Sequence, residues 1–134
     1  MNIFDYFKND QFAALTGIKL EEAGEGFAKA NLVIAEKHLN ANGVTQGGVI
    51  FTLADFVTGV ASNSHGEMAV SISGHVNFLR GSRPGDLLVA EAQERFLHKQ
   101  LGNYQVNVTN QLGELVATLE TTVYRKDKKT GLTL

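Results

Sequence analysis

The chain has 134 residues, a formal net charge of −2, 43% hydrophobic and 19% charged positions, and no cysteine. That is the length of one ordinary domain, enough to bury roughly two-thirds of the unfolded surface, and the composition is too apolar for a disordered chain. The charge gives no footprint for nucleic acid, and the missing cysteine excludes disulfides, a cysteine-ligated metal and a thiol nucleophile. Met1 to Tyr6 lack a basic region followed by a long apolar run, and no segment reaches the roughly 18 apolar residues of a membrane span. A soluble, cytoplasmic protein with no membrane or nucleic-acid partner is expected.

In chain order, Phe4, Phe7, Phe12 and Leu15 recur at helical spacing, which predicts an N-terminal helix within residues 1–16, stopped by Gly17. Residues 18–23 and 26–35 read as a hairpin split by Gly24-Glu25-Gly26, with Phe27, Lys29, Asn31 and Val33 alternating against Ala28, Ala30, Leu32 and Ile34. A polar stretch from His38 to Gln46 leads to Gly47-Gly48. After that pair a helix is predicted from about Gly48 to Asn63. Val49, Val60, Leu53, Val57, Ile50, Ala61 and Ala54 fall there within one stripe of about 140°. Strands follow at 68–79, 86–97, 102–110 and 114–124, separated by short glycine-containing turns. The polar, basic residues 126–134 read as a flexible, solvated tail. One long apolar helix and strands on short connections imply an α+β domain, an antiparallel sheet wrapped around a central helix.

The residues from Leu39 to Asp55 run Leu-Asn-Ala-Asn-Gly-Val-Thr-Gln-Gly-Gly-Val-Ile-Phe-Thr-Leu-Ala-Asp. This pattern resembles the signature of the hot-dog thioesterases, most nearly the phenylacetic-acid-degradation (PaaI-type) group. Asn63-Ser64 and Phe78-Leu79-Arg80 are also similar to that family. The resemblance implies a hot-dog fold and hydrolysis of an acyl-CoA thioester, the acyl group an aryl one in some members. It also implies self-association as a homodimer, often a dimer of dimers, with no cofactor beyond the coenzyme A of the substrate. It matches Asn40 to the polar residue before the loop. One departure stands out: the family's histidine is Gln46 here, which can hydrogen-bond but cannot titrate.

The residues carry a consistent chemistry of their own. Gly47 and Gly48 open a helix, where backbone N–H groups lack intrahelical partners and the dipole favours negative charge. Such amides suit a thioester carbonyl and the oxyanion formed on attack; the plainer alternative is a tight loop-to-helix turn. Asp55 lies about 170° from the centre of the apolar stripe, on a face shared with Phe51, Thr58, Gly59 and Ser62 that lacks other charges and is expected to be covered. Eight residues separate Asp55 from Gly47, about 12 Å along a helix, whereas a reacting carboxylate must come within roughly 3–3.5 Å of the carbonyl carbon. Two antiparallel helices from two copies would satisfy both needs, so a homodimer with shared sites is expected. Asp55 would act as nucleophile or as general base.

Asn40 positions water or the helix entry, or else makes an Asx-turn. Ser71 and Ser73, read as lying together on the polar face of their strand, are candidates for an accessory hydroxyl or inert strand serines. Arg80 and Arg83 are candidates for the CoA phosphates, or surface arginines. His38, His65, His75 and His98 show no metal-ligand spacing and are read as non-catalytic, with no metal expected. Competing functions are a non-catalytic acyl-CoA binder, which Gln46 favours, a hot-dog hydratase or dehydratase, and a bare interaction scaffold.

Overall fold

Alternating apolar residues become six antiparallel strands that curl around one helix. In the computed structural model all 134 residues are described. Helices α1 (Ile3–Phe7) and α2 (Gln11–Thr16) precede strands β1 (Lys19–Gly24) and β2 (Phe27–Val33). Helix α3 (Gly47–Asn63) and strands β3 (Glu67–Phe78), β4 (Leu87–Leu97), β5 (Leu101–Thr109) and β6 (Leu115–Lys129) complete the chain. The sheet order is β1-β2-β4-β5-β6-β3, every pair antiparallel. This is the α+β, hot-dog arrangement that the pattern predicts. No helix is long and apolar enough to cross a membrane.

The core forms where the stripe of α3 meets the inner face of the sheet. Ile50, Leu53, Ala54, Val57, Val60 and Ala61 are buried against Ala28, Ala30, Leu32, Leu88, Ala90, Val106, Val108 and Leu119. Small residues on β2 and β4 let the backbone of the sheet approach the helix, while valines and leucines fill the space farther along it. Burying each of the larger side chains is worth roughly 1.5–3 kcal/mol, which offsets the modest helix propensity of Val57 and Val60.

Two expectations change. The N-terminal segment is two short helices rather than one, because Asn2 and Asp10 act as caps: their side chains accept the Phe4 N–H (2.8 Å) and the Ala13 N–H (3.0 Å). Gly17 does end the second one, with φ at +99°. The segment 126–134 is not a free tail. Residues through Lys129 continue β6 against β3, the Thr130 N–H donates to Gly66 (2.9 Å), and the Ile3 N–H donates to Thr133 (2.8 Å). Leu132 packs on the core. A basic strand at the sheet rim resembles a tail in composition, and only its pairing distinguishes the two.

The far end of α3 is fastened by a polar cluster. Asn63 bridges the helix to β3, donating to Gly59 O (2.8 Å) and accepting the Ala69 N–H (3.1 Å). The Gly26 N–H donates to the Ser64 hydroxyl (2.8 Å), and Glu94 takes both the His65 ring (2.7 Å) and the Tyr104 hydroxyl (2.6 Å). Burial and the neighbouring Glu94 carboxylate push the Tyr104 phenol well above its usual range. Truncation after Arg125 should lower the thermal midpoint by roughly 4 °C or more, measured by calorimetry. A dispensable tail would leave the midpoint unchanged.

Candidate active site

The site begins with the loop that delivers α3. The Asn40 side chain accepts the N–H groups of Asn42 (2.8 Å) and Val44 (3.3 Å), so it closes an Asx-type turn. The loop is then pinned by a buried hydroxyl pair: Ser82 donates to Thr45 Oγ1 (2.7 Å), and the Thr45 hydroxyl donates to the Ser82 carbonyl (3.0 Å). The Gln46 N–H donates to His38 O (2.8 Å). His38 is itself buried, its Nδ1 accepting the Ala35 N–H (2.9 Å) and its Nε2 lying 2.7 Å from Thr16 O. These contacts hold the first turn of the helix in place, and His38 serves the fold.

Gln46 is the N-cap of α3. Its side-chain oxygen accepts the Gly48 N–H at 3.2 Å, while its backbone oxygen accepts the Val49 N–H. Gly48, a candidate for substrate contact, therefore has its amide already bonded within the chain. The Gly47 N–H has no intramolecular partner. It is an unpaired donor at the positive end of a 17-residue helix. Packing explains the glycine, since a Cβ would lie 3.0 Å from the Phe78 ring. Beside this amide runs a groove of about 380 Å³ bordered by Val44, Ile50, Phe78 and Arg80.

Asp55 sits two turns farther on, about 12 Å along the same helix. The residue touches solvent, yet protein atoms crowd its carboxyl, and this dehydration raises its pKa above the ordinary carboxylate value. Two smaller influences oppose one another. The Ser71 hydroxyl, 3.4 Å away, lowers the pKa as a long hydrogen-bond donor, and the negative charge of Asp10 raises it.

Ser71 and Ser73 do not share a face. A bulge between them shifts the β3–β6 register, so Ser71 stands opposite buried Val123 and Ser73 opposite Thr122 on the other side of the sheet. The extra residue at the bulge, Ile72, reverses the alternation on which the sequence reading rests. Only Ser71 reaches Asp55. Arg80 pairs with Glu114 (3.3 Å), whereas Arg83 is exposed and its guanidinium forms no ion pair, although its backbone N–H donates to Asp86 (2.9 Å). The helix face expected to be covered is divided. Thr58 and Ser62 are buried, with the Phe7 ring near Gly59 and packed on Phe56, while Phe51 and Asp55 stay open.

An unpaired amide at the helix start and a carboxylate whose pKa is raised therefore lie on the same helix. The thioesterase superfamily model matches residues 42–130, which span both groups. The chain belongs to the thioesterase superfamily. It is 36% identical over 116 residues to the acyl-coenzyme A thioesterase PaaI of Escherichia coli, covering 87% of this chain and 83% of that one. The structure of E. coli PaaI, from the phenylacetic acid degradation operon, superposes with a TM-score of 0.93 at 33% identity, covering 98% of this chain and 94% of that one. A Streptococcus mutans protein bound to acetyl CoA superposes with a TM-score of 0.82 at 29% identity, covering 85% and 92%. The chain is a PaaI-type hot-dog thioesterase.

Three supports of this thioesterase's site draw on residues outside the motif. The Thr45–Ser82 pair, the Phe78 ring on Gly47 and the charge of Asp10 come from segments up to 45 residues away from Asp55. The only sequence signal for them is the Phe78-Leu79-Arg80 similarity. Asp10→Asn keeps a side-chain oxygen to cap α2 but removes the charge that opposes ionisation of Asp55. The acid limb of the pH–rate profile should therefore move to lower pH in this variant, with the thermal midpoint within about 2 °C of wild type. An unmoved limb would show that the charge of Asp10 does not act on the group that sets it.

Proposed function

We propose that this thioesterase hydrolyses acyl-CoA, with the Gly47 amide polarising the thioester carbonyl and Asp55 as the reacting carboxylate. The observation that carries this reading is the unpartnered Gly47 donor at the start of α3, on the same helix as an aspartate whose pKa is raised by the protein atoms crowding it. The acetyl CoA held by the S. mutans relative and the name of the E. coli relative support a CoA ester as substrate. Aryl-acyl esters are among the acyl groups this reading includes.

Asp55 attacks the thioester carbon and expels CoA thiolate, leaving a mixed anhydride that water opens, or it takes a proton from water that attacks instead. Both routes yield the free acid and CoA, and both require ionised Asp55. Dehydration makes the carboxylate a stronger nucleophile and base than a fully hydrated one. Gln46, which caps the helix through its carbonyl oxygen, keeps its amide N–H₂ to orient the ester where the family has histidine. Arg83 is the cation available for a CoA phosphate, and Arg80 shares its charge with Glu114.

The 12 Å between the two groups requires a second copy of the chain, with Gly47 of one protomer serving Asp55 of its partner. The free edge of the sheet supports a homodimer. Strand β3 is a 12-residue edge strand bearing exposed Val70, Ile72 and Phe78, and an edge of that length and apolarity invites pairing. Two such dimers would associate as a dimer of dimers, to be read by sedimentation velocity.

The test is thiol release from aryl-, short- and medium-chain acyl-CoA esters. Asp55→Asn should reduce kcat by at least about a thousandfold on every ester that wild type turns over. The wild-type kcat/KM should rise with pH along a limb above the ordinary carboxylate range of about 3.9, as Asp55 ionises. The linkage runs the other way for stability. With the folded-state pKa raised, folding favours the protonated form, and ionised Asp55 opposes folding above the unfolded-state pKa. Asp55→Asn should therefore melt no lower than wild type at pH 7. Binding of acyl-CoA without any turnover by wild type would overturn the proposal.

A further inference from the structure

The chain has six buried serine and threonine side chains, and five of them are hydrogen-bonded. Thr16 donates to Phe12 O, Thr45 to Ser82 O, Thr58 to Ala54 O, Ser62 to Gly59 O and Ser82 to Thr45 Oγ1. Thr121, 2% exposed, is the exception: its Oγ1 has no partner. A buried hydroxyl without a partner is less stable than an apolar side chain of the same shape, so its position asks for a reason.

Thr121 stands opposite Gly74 in the β3–β6 ladder, on the face of the sheet that looks toward α3. Gly74 also lacks a structural reason. Its φ is not positive, and a Cβ there would meet Leu119 at 3.5 Å, Phe51 at 3.8 Å and the Thr121 hydroxyl at 3.8 Å, all ordinary contacts. Glycine weakens a strand interior, and where packing and backbone do not demand it, it marks a place where something else comes close. An unneeded glycine and an unpaired hydroxyl therefore share one spot. Gly74 is itself exposed, and the Phe51 ring, 37% exposed and one helical turn before Asp55, stands 3.8 Å from where a Gly74 Cβ would lie.

The next inward pair toward the reacting carboxylate is Ser71 opposite Val123, two residues or about 6.6 Å along β6. With the carbonyl carbon roughly 3–3.5 Å from Asp55, the third or fourth carbon of an acyl chain comes within hydrogen-bonding reach of Thr121. Resting on the acyl-CoA reading above, we infer that Gly74 and the Thr121 hydroxyl, beside Phe51, form a polar subsite for a hydroxyl on the third or fourth carbon of the acyl group. Thr121 is thus a specificity-determining residue, the partner it lacks being supplied by substrate.

The experiment compares kcat/KM for 3-hydroxybutyryl-CoA and butyryl-CoA in wild type, Thr121→Val and Gly74→Ala, with thermal midpoints for each. Wild type is expected to prefer the hydroxylated ester. Thr121→Val should lose about tenfold or more on that ester alone, with butyryl-CoA unchanged and the midpoint equal or higher. Gly74→Ala, whose methyl fills the gap, should show the same selective loss. Equal effects on both esters, or no effect on either, would overturn the subsite while leaving thioester hydrolysis intact. If wild type turns over no acyl-CoA at all, the functional reading fails. Calorimetric Kd values for the same two esters then decide the subsite, through the presence or absence of the same selective loss in Thr121→Val.

Discussion

Everything in this protein depends on the burial of one helix in the concavity of one sheet. The apolar stripe of α3 is fully enclosed at Leu53, Val57, Val60 and Ala61, so the helix can neither roll nor slide without exposing it. Its two ends are then fixed by different chemistry. Backbone and hydroxyl bonds from the 38–46 loop hold the start, and the Asn63–Ser64–His65 contacts to β3, the β1–β2 turn and β4 hold the end. A donor at residue 47 and a carboxylate at residue 55 consequently have a rigid separation, suiting a site that must align reacting atoms closely.

Local departures from regularity do the chemical positioning. The glycine at 47 lets the Phe78 ring lie on the helix start, walling one side of the free amide. The bulge between Ser71 and Ser73 brings one hydroxyl to Asp55 and turns the next away. Neither device is available to an ideal strand or helix. Both sit on rigid elements rather than on the loops.

The electrostatics of the site follow from what surrounds it. Asp55 has no cation beside it, so crowding by protein atoms dominates and its proton is held more tightly than in water. Elsewhere in the chain a carboxylate meets donors instead. Asp86, which accepts the Arg83 N–H (2.9 Å) and the Gln111 amide (2.8 Å), has its pKa lowered. The contrast between two aspartates of one small domain is that between a dehydrated group and a solvated, hydrogen-bonded one.

The fold was largely legible in the amino-acid sequence, because periodicity follows from geometry alone. The period-two runs named every strand to within a few residues, apart from the extent of β6, and the stripe on 48–63 marked the central helix. The spacing from Gly47 to Asp55 also belongs to the sequence, since a helix rises by a constant amount per residue. What sequence could not decide were features set by contacts between distant segments. Pairing with β3 converted a basic tail into strand, whereas the split of the first helix at Asp10 is a local cap that the helical periodicity did not register. Register alone separated Ser71 from Ser73, since a single extra residue at a bulge inverts every later side chain. The raised pKa of Asp55 and the unpaired Thr121 hydroxyl belong to tertiary structure for the same reason. Both depend on which atoms from other elements crowd a group and which fail to bond it, and neither quantity is encoded in the residue's own neighbours along the chain.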